Sequence, residues 1–178
     1  SGPVSGKRVA AFTCSGGGAT MLADYAEKIN LEFNQPSKKV DCELKKLLPL
    51  TATVSNPLDY TTPIWGQPEK TGPVFNTFFK DKYDLLVSFN FIEHLPDPKA
   101  SLKVAKSLLK TNGIGILEVP NFNVIKDKLL FNEFIPDHLF YYTKETFHLL
   151  LELSGFQVLK MKTIEDDYII SAFVKVKN

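Results

Sequence analysis

The chain has 178 residues, of which 44% are apolar and 23% charged, a globular composition with length for one ordinary domain and a proper core. A net charge of +1, with basic residues scattered, gives no reason to expect a nucleic-acid partner or an acidic membrane surface. Two cysteines, Cys14 and Cys42, make no disulfide framework, and no apolar run reaches the ~20 residues of a membrane span, so a cytoplasmic protein is expected.

The first residues, Ser1 to Gly6, read as a linker, not a leader. Arg8 to Cys14 is a short apolar strand that runs into the turn Ser15-Gly16-Gly17-Gly18. From Thr20 to Ile29, apolar residues at helical spacing predict a helix, which completes the opening of a βα unit. Leu31 to Phe33 reads as a brief second strand stopped by Pro36, and Val40 to Leu48 as a helix ended by Pro49. A third strand is expected around Thr53 to Ser55. The stretch from Ala52 to Pro73, rich in proline, threonine and glycine and holding Trp65, then reads as a long connection before a helix over Val74 to Lys80.

Tyr83 to Phe89 is a continuous apolar run of the kind buried on both faces of a parallel sheet. Lys99 to Lys110 is an amphipathic helix stopped at Thr111-Asn112-Gly113, and Ile114 to Val119 is the next strand, closed by Pro120. Asn123 to Phe131 reads as helical. Thr143 is placed to cap a helix ending at Ser154-Gly155. Phe156 to Ile164 and Tyr168 to Val176 form two strands across an acidic turn, an antiparallel hairpin at the edge of the sheet. The expected fold is α/β: a three-layer Rossmann-like or flavodoxin-like sandwich, with a mostly parallel sheet of about seven strands and that C-terminal hairpin.

Residues 82–178 resemble the C-terminal half of class I SAM-dependent methyltransferases. The resemblance rests on YDLLVSFNFIEHLPDP, LLKTNGIGILEVPN and DHLFYYTKETFHLLLELSGF, in family order, with the terminal strand pair. Phe89, Asn90, Phe91 and Glu93 follow the strand end. The resemblance implies that Asn90 and Phe91 lie beside the methionine part of SAM, with Phe89 a further candidate cofactor-binding residue. It also implies that Pro120 to Phe122 face the substrate, although Phe91 and Phe122 are also good core aromatics. His94 and His138 are the candidate general bases, against structural hydrogen bonding as the plainer role; His148 sits mid-helix, at the surface or in the core.

The first half lacks the acidic residue and glycine series of that family, and Asn34-Gln35 offers no carboxylate for a ribose. Residues 6–80 instead resemble the flavodoxin-like subdomain of NDP-forming acyl-CoA synthetases, through GKRVAAFTCSGGGATMLAD and LLPLTATVSNPLDYTTPIWGQ. Ser15, Gly16, Gly17 and Gly18 at a helix N-terminus are candidate cofactor-binding residues, equally readable as a tight turn. Cys14 there is a nucleophile or, more simply, structural.

The leading expectation is therefore one domain over residues 1–178 built of two half-domains, 6–80 and 81–178. Its strands would run 2-1-3 in the first half, and as a chimeric scaffold it would lack complete activity. The alternatives are a SAM-dependent methyltransferase of a small molecule and a CoA- or nucleotide-binding module. No cofactor is certain, SAM being expected only on the methyltransferase reading, and no metal site is expected. A small-molecule ligand is the expected partner, and exposed sheet edges would favour a homodimer.

Overall fold

A computed structural model describes residues 7, 9–13, 16–64, 67–79 and 82–177. The segment 1–6, Arg8, Cys14, Ser15, Trp65 and, within the expected join at residues 79–83, Lys80 and Asp81 lie outside the described residues. The chain divides into two compact units, Ser5–Tyr83 and Asp84–Asn178.

In the first unit, strand β1 (Phe12–Thr13) leads to helix α1 (Gly16–Lys28), followed by α2 (Lys38–Leu47), β2 (Leu58–Asp59), a 3₁₀ turn at Thr62–Ile64, and α3 (Pro68–Phe78). Ser37 caps α2 by accepting from the Val40 amide, and α2 packs on α3. β1 and β2 pair in parallel, Phe12 opposite Leu58. Phe12 stacks on Tyr60 at 4.3 Å and meets Phe75 edge-on at 5.2 Å, which gives this short pair of strands an aromatic core.

The expected strands two and three do not form as strands, and the reason is visible in the hydrogen bonds. Glu32 makes a lone bridge, accepting from the Val9 amide and donating to the Lys7 carbonyl. Thr53 to Ser55 makes no strand. Beyond it, the side chain of buried Asn56 takes the place of a ladder partner. Its Nδ2 donates to the carbonyls of Val9 (2.8 Å) and Asn34 (3.0 Å), and its Oδ1 accepts from the Ala11 amide (3.0 Å). Gln35 completes the knot, its amide side chain both accepting from the Asn56 N–H and donating to the Asn56 carbonyl. Pro57 follows and has no N–H to offer a sheet. The stretch after it is not a structureless loop, since β2, the 3₁₀ turn and the start of α3 lie within it.

The second unit carries a four-stranded sheet in the order β3-β4-β6-β5. Its elements are β3 (Tyr83–Phe89), a 3₁₀ turn at Ile92–His94, α4 (Pro98–Leu108), β4 (Leu109–Pro120), α5 (Phe122–Asp127), α6 (Lys144–Leu153), β5 (Phe156–Ile164) and β6 (Ile169–Val176), with a further 3₁₀ turn at Phe131–Glu133. β3 and β4 run in parallel: the Leu86 carbonyl lies against Gly115, and the Asn90 amide donates to the Glu118 carbonyl, both registers advancing together. β6 is antiparallel to both β4 and β5.

The expected seven-stranded, mostly parallel sheet is thus replaced by a two-stranded parallel sheet and a mixed four-stranded one. The residues read as a turn, Thr111 to Gly113, continue β4 instead, because the chain leaves α4 directly in extended conformation at Leu109. There Lys110 Nζ holds Asp84 of β3 at 2.6 Å. β3 is half-buried along its length and not fully enclosed as its composition suggests.

Along β4, Gly113, Gly115, Leu117 and Val119 turn inward at every second position. Leu117 and Val119 join Phe147 and Leu151 of α6, Phe156 of β5, and Ile170, Ala172 and Val174 of β6 in one apolar core. Thr143 caps α6 as expected, its hydroxyl and that of Thr146 satisfying each other's backbone amides. Gly155 then ends the helix in left-handed conformation (φ 89°). The hairpin turns through Glu165, Asp166 and Asp167, all at positive φ, with the Thr163 hydroxyl bonded to the Asp167 carboxylate. A bulge interrupts the β5–β6 register between Val158 and Lys160. No helix among the described residues is long and apolar enough to cross a membrane.

Candidate active site

The parallel strand β3 ends at Phe89, and the chain turns sharply through Asn90, a non-glycine residue at φ 45°. Phe89 is half-exposed and Asn90 is exposed, so both present themselves to solvent at the carboxyl end of the strand, while Phe91 is half-buried. The 3₁₀ turn that follows points Ile92 and Glu93 into the interior.

Two main-chain bonds then bring a distant segment alongside. The Glu93 carbonyl accepts from the amides of Leu139 (2.9 Å) and Phe140 (3.2 Å). This clamp sets His138 against His94, their rings 4.8 Å apart and edge-on. His94 Nδ1 lies 2.8 Å from the carbonyl oxygen of Asp137 and 3.7 Å from its carboxylate. A carbonyl can only accept, so Nδ1 carries the proton and the neutral ring keeps Nε2 unprotonated. That Nε2 lies 3.9 Å from Oε1 of Glu93.

Glu93 is the outstanding group of this cluster. It is 1% exposed, and among the described residues neither of its carboxyl oxygens has a hydrogen-bond partner. Burial pushes its carboxyl up to about 7. Burial lowers His94 from the ordinary imidazole value, against an upward pull from the Asp137 carbonyl. Tyr142 is buried with its hydroxyl also unpartnered among the described residues; burial, and then the nearby Glu93, hold it well above the ordinary phenol value.

Asn121, after β4, is fixed between the hairpin turn and Tyr142. Its Nδ2 donates to the Asp167 carbonyl and its amide to that of Tyr168, while the Phe122 amide donates to the Tyr142 carbonyl.

In the other unit, Gly16, Gly17 and Gly18 form the first turn of α1. A Cβ built on Gly16 would stand 3.4 Å from Oδ2 of Asp59, so a carboxylate already lies beside the start of this helix. Asp59 is held there by the Thr61 amide, which donates to its Oδ1 at 2.8 Å. Ser15 lies outside the described residues.

Of the residues singled out in the sequence, the structure brings together His94 with His138, and Phe89 with Asn90 and Phe91. His148 stands on the surface of α6, paired with Glu152 at 3.7 Å. Sequence reasoning placed Glu93 after the β3 strand end without giving it a role, and it missed Asp59. A carboxylate locked between Ile92 and His94 in an otherwise apolar turn was the available sign for the first. For the second, the sign was the Asp of Asn56-Pro57-Leu58-Asp59, taken only as part of a motif.

A family model described as a methyltransferase domain matches residues 23–161, most of the chain and both sides of the expected join. The chain belongs to this methyltransferase family. No curated protein matches it. Among solved structures it is similar to an S-adenosylmethionine-dependent methyltransferase from Clostridium acetobutylicum, with a TM-score of 0.55 and 12% identity over 97% of this chain and 76% of that one. It is also similar to the PH0226 protein of Pyrococcus horikoshii, with a TM-score of 0.52 and 16% identity over 96% and 72% of the two chains. At such identities the likeness establishes the α/β Rossmann-like fold of methyltransferases. Nothing among these findings supports an acyl-CoA synthetase-like first half or a chimeric scaffold.

Proposed function

We propose that this protein is a SAM-dependent methyltransferase acting on a small molecule. The observation that carries the reading is the family match over residues 23–161. The end of β3 supports it: Phe89 and Asn90 are accessible where an α/β sheet binds its ligand, and they would hold the methionine part of SAM.

Within the first unit, Asp59 places a carboxylate beside Gly16, where the sequence reading found none at Asn34-Gln35. That charge also argues against the CoA or nucleotide reading, because a carboxylate at the start of α1 repels the phosphates that a bare helix N-terminus attracts. SAM when bound supplies an electrophilic methyl group on a sulfonium. In the metal-free protein His94 and His138 are candidate groups to take the acceptor's proton, and the protein's remaining task is to position the acceptor and exclude water.

Titration calorimetry with SAM, S-adenosylhomocysteine and CoA tests the proposal. Micromolar binding of the first two, weakened at least tenfold by Asn90→Ala, with no heat from CoA, is the expected result. A folded sample that gives no heat with SAM or S-adenosylhomocysteine overturns it.

A further inference from the structure

We infer that Glu93, His94 and His138 form a binding site for a divalent first-row transition metal, with Zn²⁺ as the simplest occupant. One donor atom from each of the three lies within 4.8 Å of the others. In a tetrahedral zinc site with bonds of about 2.0–2.1 Å, donors stand roughly 3.3 Å apart. The 3.9 Å between His94 Nε2 and Glu93 Oε1 is already near that value. The remaining donor separations, at most 4.8 Å, exceed that value by no more than about 1.5 Å, and His138 is half-buried.

Three features beyond proximity point to a cation. The Glu93 carboxyl is almost wholly buried with both oxygens unpartnered among the described residues, a costly arrangement that a bound cation would relieve. His94 donates its Nδ1 proton to the Asp137 carbonyl, which fixes the tautomer whose Nε2 can ligate. Metal-binding imidazoles are usually oriented by such an outer hydrogen bond. Finally, two imidazoles and one carboxylate are the nitrogen–oxygen donor set that suits zinc, iron, cobalt or nickel, and not calcium or magnesium.

Three protein donors leave a coordination position open, the arrangement of catalytic zinc sites. That position would take a water or an oxygen of the methyl acceptor and lower its pKa. This second role rests on the methyltransferase reading, whereas metal binding itself does not.

The test uses the full chain freed of metal by EDTA and titrated with Co²⁺ and Zn²⁺, without SAM. The expected result is one Co²⁺ per chain, bound at micromolar or lower concentration, with a visible d–d band displaced by Zn²⁺. Glu93→Gln and His138→Ala should each weaken binding at least tenfold, while His148→Ala, on the surface pair with Glu152, leaves it unchanged. His138 is partly exposed, so its variant should keep the fold, as circular dichroism would verify. Wild-type protein that binds Co²⁺ no better than the His94→Ala/His138→Ala variant overturns the inference. So does a thiolate charge-transfer band, which would assign the metal to cysteine. SAM binding is read separately by calorimetry, so failure of the metal site and failure of the methyltransferase reading are distinguishable.

Discussion

The imidazole of His94 is held by the main chain of Asp137, with Nδ1 at 2.8 Å from a carbonyl oxygen that no side-chain substitution at 137 removes. The tautomer of this histidine is therefore written into the backbone. In metal-free protein, long-range proton–nitrogen NMR spectra should show His94 protonated at Nδ1 in its neutral form. Asp137→Asn should leave that signature intact, since the carboxylate at 3.7 Å is the secondary contact. A neutral ring protonated at Nε2 would contradict the geometry.

Glu93 gives the metal-free protein a distinctive pH dependence. Its carboxyl stands at about 7 in the fold against an ordinary value of 4.5, so the unfolded chain releases this proton first. Below pH 4.5 both states are protonated and the residue contributes no pH dependence. As pH rises toward 7, folding must hold the proton or bury the charge, and stability declines; above that the full penalty remains. His94, lowered by burial, slopes the other way, since its contribution is lost as pH falls below the ordinary imidazole range. The comparison to make is therefore wild type against Glu93→Gln, by urea unfolding across this range. The difference should grow with pH in favour of the variant, with His94, His138, Asp137, Tyr142 and Tyr168 present in both.

Gly115 is required by its neighbour, not by its own conformation. A Cβ there would come within 2.5 Å of Cγ2 of Val174, its partner across the β4–β6 ladder. Gly115→Ala should cost about 1–3 kcal/mol through overpacking. Adding Val174→Ala should recover part of the loss, which a double-mutant cycle in urea would measure.

Asn56 should be among the most sensitive positions of the first unit. Replacing it with Leu removes the partners of the Val9 and Asn34 carbonyls and of the Ala11 amide. Each backbone group left buried and unsatisfied costs about 1–3 kcal/mol. Loss of hydrogen-exchange protection at Ala11, at little change in the second unit, is the expected signature.

The cap on α6 is a milder case. Thr143→Ala breaks the reciprocal bonds with Thr146 and should destabilise by about 1 kcal/mol, visible as a lower thermal midpoint.

What could be read in advance follows from where the physics is local. β3, β5 and the Thr143 cap are encoded in a few consecutive residues, and the sequence reading places β3 and β5 at their observed bounds. The first unit was misread because its order depends on Asn56, a side chain 45 residues from the Ala11 amide that it binds. Nothing in Thr53-Val54-Ser55 distinguishes a strand from a segment whose neighbour's amide replaces one. The pairing of His94 with His138 was equally hidden: both were picked out singly as bases, but their meeting is set by the Glu93 carbonyl, and backbone bonds leave no mark on composition. The family match spans residues 23–161 and gives no support to the acyl-CoA synthetase-like reading of the first half.

The bulge between Val158 and Lys160 lies in β5, one of the two edge strands of the four-stranded sheet. An outermost strand with free backbone groups is an invitation to a neighbouring molecule's strand. Here the irregular register bends that row of donors and acceptors out of line, while Lys160 and Lys162 stand exposed along it. A second chain approaching edge to edge would face like charges and a broken ladder, so this border is built to resist templated aggregation. Straightening it by deleting Leu159 while exchanging the two lysines for threonine would leave a smooth, uncharged rim of the kind that seeds fibres.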